Sequence, residues 1–206
     1  MVLDTSFIIV GSILILSLIP LFIYRKRIYR RFSKTDDTSL FEEDVKIYLT
    51  NNYPKIKFNY DALKKFDNEK NIKVKQILKI EELIKQFVNF KYELSTQKGV
   101  HHTMLWSGYD QNSKLLKDNK YPKDWARRRK AAWTRDEGIC NRCGYKTKIS
   151  EANALLAKQM KDGGGFNLEN IVILCNDCAR IIKSSNLEKT SKDLNLLDKL
   201  MDKVNY

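Results

Sequence analysis

The sequence of 206 residues has little proline and little glycine, with 3 and 8 residues respectively. An all-β chain that reverses at many tight turns needs more of both, because these residues supply the backbone angles of such turns. The hydrophobic share of 43% and the charged share of 31% exclude a collagen-like fibre and a wholly disordered chain. The length suits one domain with appendages or two small domains, and the composition favours a mainly helical protein.

Histidine is also scarce, and basic residues outnumber acidic ones. The two histidines, His101 and His102, are adjacent, and no histidine follows them. A site in residues 120–206 must therefore do without imidazole as a metal ligand or a base. The 38 Lys and Arg against 25 Asp and Glu give a net charge of +13. This excess predicts a negatively charged partner, such as nucleic acid or an anionic lipid surface.

Residues 7–24 carry no charged side chain and read FIIVGSILILSLIPLFIY. As a helix, these residues would be about 27 Å long, which is close to the hydrocarbon thickness of a bilayer. Basic residues stay on the cytoplasmic side of a membrane. The sequence therefore predicts a single-pass anchor within residues 1–24, with the N-terminus outside and the C-terminal domain in the cytoplasm; a buried core helix is the alternative. One acidic residue, Asp4, precedes this run. The basic residues that follow it are Arg25, Lys26, Arg27, Arg30 and Arg31.

The rest of the chain divides by pattern into further segments. Residues 25–38 are predicted to form a basic juxtamembrane linker, and residues 39–119 a region of two or three packed helices. Apolar residues also recur at helical spacing in residues 188–206, which predicts a C-terminal amphipathic helix packed on the preceding domain. The apolar residues that indicate the strongest helix of the middle region are Ile77, Ile80, Leu83, Ile84, Phe87 and Val88.

All four cysteines occur in two Cys-x-x-Cys pairs, Cys140/Cys143 and Cys175/Cys178, separated by 31 residues. Each pair can form a tight turn that directs two thiolates at one ion, and two such turns complete a tetrahedral zinc site. Two disulfides are the alternative, but disulfides are rare in the reducing cytoplasm. The sequence therefore predicts one structural Zn²⁺ bound by the four cysteines, with no second divalent ion.

Several landmarks around the cysteine pairs occur in a fixed order. The run YPKDWARRR begins at Tyr121, and Arg135-Asp136 precedes the first pair. Gly163-Gly164 and then the run NIVIL, which begins at Asn170, lead into the second pair. This series resembles the HNH nuclease family of the four-cysteine zinc type over residues 121–187. The resemblance implies a small ββα-metal (HNH-type) zinc domain at residues 120–187, with a catalytic metal between a hairpin and a helix.

The sequence departs from that family at the positions of its catalytic groups. Where the family has an acid-His or His-His pair, this chain has Leu155 and Leu156, and Ala179 stands where a metal-binding His follows the last cysteine. Leucine offers neither a lone pair nor a proton for exchange. Asn170 is the single retained family position, so no catalytic residue is expected. Residues 151–158 also have a helix-former composition.

The alternative is a divergent metal-dependent HNH endonuclease. Asp162, Glu169 and Asp177 offer carboxylate oxygens that could hold Mg²⁺. The adjacent His101 and His102 offer imidazole groups, although outside the motif that the family uses.

A basic helix is predicted from Asp124 to about Asp136. Its Trp125, Ala132 and Trp133 share one face, which we expect to pack on the zinc core. The basic residues would then project outward toward phosphate groups, whose contacts give affinity without base specificity. A solvated face or a face for anionic lipid is the alternative. The predicted nucleic-acid-binding residues are Arg127, Arg128, Arg129, Lys130, Arg135 and Arg142.

Together these features predict a membrane-anchored HNH-like pseudoenzyme that binds DNA or RNA without cleaving it. The divergent endonuclease is one alternative, and a membrane-attached adaptor whose zinc domain binds a protein partner is another. The sequence does not distinguish DNA from RNA.

Overall fold

The structure is a computed structural model that describes residues 37–97 and 121–204. Within it, residues 43–97 and 121–204 belong to one compact unit and residues 37–42 to another. The predicted anchor at residues 7–24, most of the predicted linker and the two histidines lie outside the described residues. In the two ranges that the structure describes, no helix is both long and apolar enough to cross a membrane.

Three helical segments make up the first described range. Helix α1 spans Asp37–Asn52, a 3₁₀-helix spans Asp61–Phe66, and helix α2 spans Ile72–Asn89. The side chain of Asn71 caps α2 by accepting hydrogen bonds from the backbone N–H groups of Lys73 and Val74, which otherwise have no helical partner. The apolar residues that recur at helical spacing line the buried face of α2: Ile80, Leu83, Ile84, Phe87 and Val88.

The second range begins with helix α3, Trp125–Arg135, and contains two strands. Strand β1, Asn153–Leu156, pairs antiparallel with strand β2, Ile171–Leu174. Ile171 and Ile173 of β2 pack with Ala132 of α3 in a buried cluster. This cluster fixes α3 on one face of the two-stranded sheet. Further members of the cluster or residues packed against it are Ala152, Leu168, Trp125, Ala131, Trp133, Ala154 and Leu156.

The composition of residues 151–158 favours a helix, but in the structure this segment contains strand β1. Ala154 and Leu156 alternate along the strand and pack against the cluster beneath α3. Pairing with the fully buried β2 and this alternate burial outweigh the weak helical preference of the individual residues.

Three helices end the chain: α4 at Asn176–Lys183, α5 at Leu187–Lys192 and α6 at Asn195–Val204. The structure thus has two helices where one amphipathic helix was predicted over residues 188–206. Helix α6 packs on α2 and α4 and buries Leu196 and Leu200. The carboxylate of Asp177 accepts hydrogen bonds from the backbone N–H groups of Asn195 and Leu196, each at 3.0 Å. This contact explains why a second helix begins there.

The mainly helical fold class is confirmed, with a small two-stranded sheet and a cluster of four cysteines. In chain order, β1, β2 and α4 form a strand-strand-helix unit that carries the second cysteine pair. The narrower assignment to the HNH-type ββα-metal fold stays a prediction.

Candidate metal centre

The two cysteine pairs come together into one buried cluster. The four Sγ atoms lie within 4.8 Å of one another, and all four residues are buried free thiols. The Sγ atoms of Cys143 and Cys175 are 3.7 Å apart. A tetrahedral zinc site with Zn–S bonds of about 2.3 Å has sulfur atoms about 3.8 Å apart. The size of the cluster therefore fits a zinc ion held by Cys140, Cys143, Cys175 and Cys178.

Each pair is shaped by a backbone turn with an N–H group directed at sulfur. In the first turn, the N–H of Tyr145 donates to Sγ of Cys143 at 3.5 Å, and Gly144 has φ +85°. In the second, the N–H of Cys178 donates to Sγ of Cys175 at 3.5 Å at the start of α4. Such bonds stabilise negative charge on the sulfur atoms. The turns therefore present the cysteines in a form that suits metal ligation.

The thiols influence one another strongly because they are close and buried. The pKa of Cys140 is lowered because the other three cysteine side chains share hydrogen bonds with its sulfur. The pKa values of Cys143 and Cys175 are raised, first by their hydrogen bond to Cys140 and further by Cys178 and burial, whereas the hydrogen bond to Cys143 acts in the opposite direction on Cys175. Ionisation of these neighbouring thiols together is therefore unfavourable. A divalent cation is needed to hold all four as thiolates, and four sulfur ligands in a small cage favour Zn²⁺.

The helical region closes over the first turn. The backbone N–H of Lys55 donates to the carbonyl of Cys143 at 3.2 Å, and its side-chain Nζ donates to the carbonyl of Asn141 at 3.2 Å. Pro54 lies directly against Gly144, so that a Cβ atom on Gly144 would come within 2.8 Å of the proline ring. These contacts join Pro54 and Lys55 to the candidate metal centre, a connection that the sequence pattern did not reveal.

Arg142, between the ligands of the first pair, was predicted to contact nucleic acid, and this prediction is wrong. The residue is 2% exposed. Its Nη1 donates to Sγ of Cys178 at 3.5 Å, and its Nη2 donates to the carbonyls of Phe87, Val88 and Phe90 at 2.7, 3.2 and 3.0 Å. The physical reason is that the sulfur and the three carbonyls accept hydrogen bonds from the guanidinium and so offset the free energy cost of burying its charge.

Three other predicted nucleic-acid residues also donate to groups inside the protein. Arg128 is 4% exposed, and it donates to Asp124 and to the carbonyl of Phe166. Arg129 donates to the carbonyl of Ile149. Arg135 donates to the carboxylate of Asp136 and to the carbonyls of Leu168 and Ile171. The expectation that these arginines project outward is therefore wrong for Arg128, and Arg129 and Arg135 are only partly exposed.

The exposed basic residues of this segment are Arg127 and Lys130, together with Lys123 just before α3. Arg127 and Lys130 are three residues apart in the helix and so share one face. Lys123 lies four residues before Arg127. We call Lys123, Arg127 and Lys130 the basic stripe.

Asn170, the retained family position, has a structural role in this chain. The residue is 3% exposed. Its Oδ1 accepts a hydrogen bond from the backbone N–H of Lys158 at 2.8 Å. Its Nδ2 donates to the carbonyls of Lys158 and Gly165 at 2.9 and 2.7 Å. Asn170 thus fastens the loop after β1 to the start of β2. Nearby, Leu155 and Leu156 are half-buried and Ala179 is buried.

The candidate Mg²⁺ ligands do not come together. Asp162 is exposed, Glu169 accepts a hydrogen bond from Nδ2 of Asn167, and Asp177 caps α6. Among residues 37–97 and 121–204, the four cysteines are the one group of three or more His, Cys, Asp or Glu side chains placed to share an ion. The described residues therefore do not support the alternative in which these three carboxylates hold Mg²⁺.

Comparisons with protein-family models, with curated proteins and with solved structures find no match to this chain. The resemblance to the HNH family consequently depends on the sequence landmarks alone.

Proposed function

We propose that this protein binds nucleic acid, DNA or RNA, through a zinc-stabilised domain that residues 7–24 attach to a membrane. The observation that carries the proposal is the basic stripe, in which Lys123 just before α3 and Arg127 and Lys130 on α3 are exposed. Phosphate groups are the natural partners of such a surface, because each contact releases condensed counterions. The net charge of +13 supports the same class of partner.

Zinc has a structural role in this proposal. The four cysteines are buried, and four sulfur ligands fill a tetrahedral zinc site, so they leave no open coordination position for water or substrate. The ion would hold the turn after α3 against the start of α4. The basic stripe would then keep its place on a small domain that a metal stabilises.

The resemblance to the HNH family supports binding without cleavage. A nuclease of this kind needs a general base and a metal at the phosphate. At the corresponding positions this chain has Leu155, Leu156 and Ala179. The side chain of Asn170 is hydrogen-bonded to the loop after β1. Nucleic acid would thus bind a scaffold that lacks the side chains for water activation.

The test is a titration of fluorescent oligonucleotides with the full chain in mild detergent, at several salt concentrations. We expect micromolar affinity that falls steeply with salt. Changing the three residues of the basic stripe to Gln should weaken binding and flatten the salt dependence by up to about three phosphate contacts. Arg128 is left intact because it is buried. The matched control changes three exposed lysines elsewhere in the same unit to Gln: Lys57, Lys70 and Lys73.

Each contrary outcome points to one alternative. Equal weakening by the control would mean that net charge, not the basic stripe, attracts the ligand. Binding that ignores salt and all substitutions would favour the protein-binding adaptor, and retention only by anionic vesicles would favour a lipid surface. Metal-dependent cleavage that Asn170→Ala abolishes would establish the divergent endonuclease.

Membrane attachment is a separate part of the proposal and rests on the uncharged residues 7–24 and the basic residues that follow. Reporter fusions after Tyr206 test it. A cytoplasmic signal from membrane-bound protein is expected, and an extracytoplasmic signal would refute this orientation.

A further inference from the structure

The side chain of Arg142 links the cysteine cluster to the end of a helix far away in the sequence. Arg142 is among the largest fully buried side chains of the described residues. One arm of its guanidinium, Nη1, donates to Sγ of Cys178, and the other, Nη2, donates to the carbonyls of Phe87, Val88 and Phe90. A single planar cation therefore contacts both a metal ligand and the last turn of α2.

Both contacts are electrostatically favourable, for related reasons. Four thiolates around a divalent ion leave a net charge of about −2, which a neighbouring cation offsets. The C-terminal carbonyls of a helix carry the negative end of its dipole and have no partners within the helix. Helix α2 has no basic residue in its own last turn. Arg142 supplies that positive charge from 52 to 55 residues away in the chain.

The aromatic rings at the end of α2 hold the guanidinium in place. The centre of the guanidinium lies 5.2 Å from the ring centroid of Phe87 and 5.5 Å from that of Phe90. Such stacking suits the flat, weakly hydrated guanidinium better than a lysine ammonium. A lysine would keep the positive charge, but it lacks the forked guanidinium that donates to the sulfur and to three carbonyls at once.

We propose that Arg142 is a positioning residue that couples metal binding to the end of α2. The charge of the metal–thiolate cluster holds Arg142, and Arg142 holds the carbonyls of Phe87, Val88 and Phe90. In return, its hydrogen bond to Cys178 slows the departure of the metal. This inference depends on metal binding by the four cysteines and is independent of nucleic acid.

The first test measures zinc release from the full chain to a chromophoric chelator. Arg142→Gln removes the charge, Arg142→Lys keeps it without the fork, and Arg128→Gln is the matched control. Arg128 is similarly buried, and it donates to the carboxylate of Asp124 and to the carbonyl of Phe166. We expect Arg142→Gln to bind zinc about 10 to 100 times more weakly than the unmodified chain. Arg142→Lys should show a smaller loss of affinity, and Arg128→Gln should bind zinc as tightly as the unmodified chain.

A second measurement reports on the protein rather than on affinity. Hydrogen exchange of the zinc-loaded chain should be faster at residues 88–92 in Arg142→Gln and unchanged there in Arg128→Gln. The charge-transfer absorption of the Co²⁺-loaded chain should shift in both Arg142 variants, because a hydrogen bond to a thiolate ligand is lost or altered.

The unmodified chain gives a test that does not need a folded variant. Partial removal of zinc should speed exchange at residues 88–92 more than at residues 75–80 in the first half of α2. An equal change in both segments, or the same zinc release from Arg142→Gln and the unmodified chain, would overturn the coupling. An unmodified chain that binds no zinc would instead overturn the metal site itself.

Discussion

The rings of Tyr53 and Tyr145 stack with their centroids 5.3 Å apart and their planes 19° from parallel. Tyr53 directly follows α1, and Tyr145 lies two residues after Cys143 of the candidate metal centre. Tyr53 also meets the ring of Phe87 in α2 edge-on, at 5.4 Å. The helical region and the cysteine cluster therefore share one core, and the predicted boundary between residues 119 and 120 does not separate independent cores.

Replacing Tyr53 should consequently destabilise both parts together. Tyr53 is 3% exposed, and truncation of a buried aromatic residue to Ala typically costs about 3–5 kcal/mol. Chemical denaturation of Tyr53→Ala should show this loss in a single transition. Tyr53→Phe keeps the ring and should cost about 1 kcal/mol. Two separate transitions, with only one affected, would contradict the shared core.

Two glycines with similar backbone angles should respond differently to alanine. Gly144 has φ +85° and Gly163 has φ +82°, so both substitutions carry a strain of about 1 kcal/mol. A Cβ on Gly144 would also lie 2.8 Å from the ring of Pro54, whereas on Gly163 it would meet Nζ of Lys158 at 3.8 Å. We expect Gly144→Ala to cost about 1–3 kcal/mol more than Gly163→Ala.

The double variant Pro54→Ala/Gly144→Ala isolates that steric contact. With Pro54→Ala alone as the reference, the cost of Gly144→Ala should fall to that of Gly163→Ala. Equal costs for both glycines in the unmodified background would show that Pro54 can move aside freely.

Metal analysis of the purified chain should find one zinc ion per molecule. Changing any one of Cys140, Cys143, Cys175 or Cys178 to Ser should abolish stoichiometric binding and unfold residues 120–187 together with the helices that share their core, because metal binding and folding are coupled in such sites. Asn176→Ser serves as the control, since Asn176 adjoins Cys175 but its side chain accepts from Asn153. Recovery of the cysteines as disulfides from cytoplasmic protein would contradict the metal site.

Tyr92 should titrate at unusually high pH. Burial, followed by the nearby charge of Cys140 and Asp136, raises its pKa from 10.0 to about 12. Because the folded chain disfavours the phenolate, the stability that Tyr92 contributes is complete below pH 10 and is lost as the pH rises to about 12. The free energy of unfolding of the unmodified chain should therefore fall relative to Tyr92→Phe across this interval.

The measurement is guanidinium denaturation of both proteins between pH 9 and pH 12, with the absorbance at 295 nm to follow ionisation. The difference in absorbance between the two proteins should have its midpoint near pH 12. A midpoint near pH 10 would show that Tyr92 is solvated.

The features that the sequence predicted best depend on short spacing. Two residues between cysteines suffice to form a turn, so the four-cysteine cluster follows from the pattern. The apolar period of residues 77–88 likewise identifies the buried face of α2. Each pattern is local, so the structure that it predicts depends little on the rest of the chain.

The features that the sequence did not predict depend on distant partners. Residues 153–156 form a strand because β2 pairs with them, and their composition carries no trace of that pairing. The helical pattern identified α3, yet Arg128 and Arg135 are held by carbonyls of Phe166 and Leu168 that lie 38 and 33 residues away. The sequence therefore does not distinguish a basic residue that faces solvent from one that donates to a buried carbonyl.

The position of Asp177 between two metal ligands has a consequence for the order in which the chain can fold during synthesis. The four-sulfur cluster cannot be complete until Cys175 and Cys178 have left the ribosome. Asp177 emerges with them, but it can cap α6 only after residues 195–204 have followed, and α6 in turn covers α2. Helix α2 is therefore made early but covered last, so a chaperone has a defined interval in which to meet its apolar face.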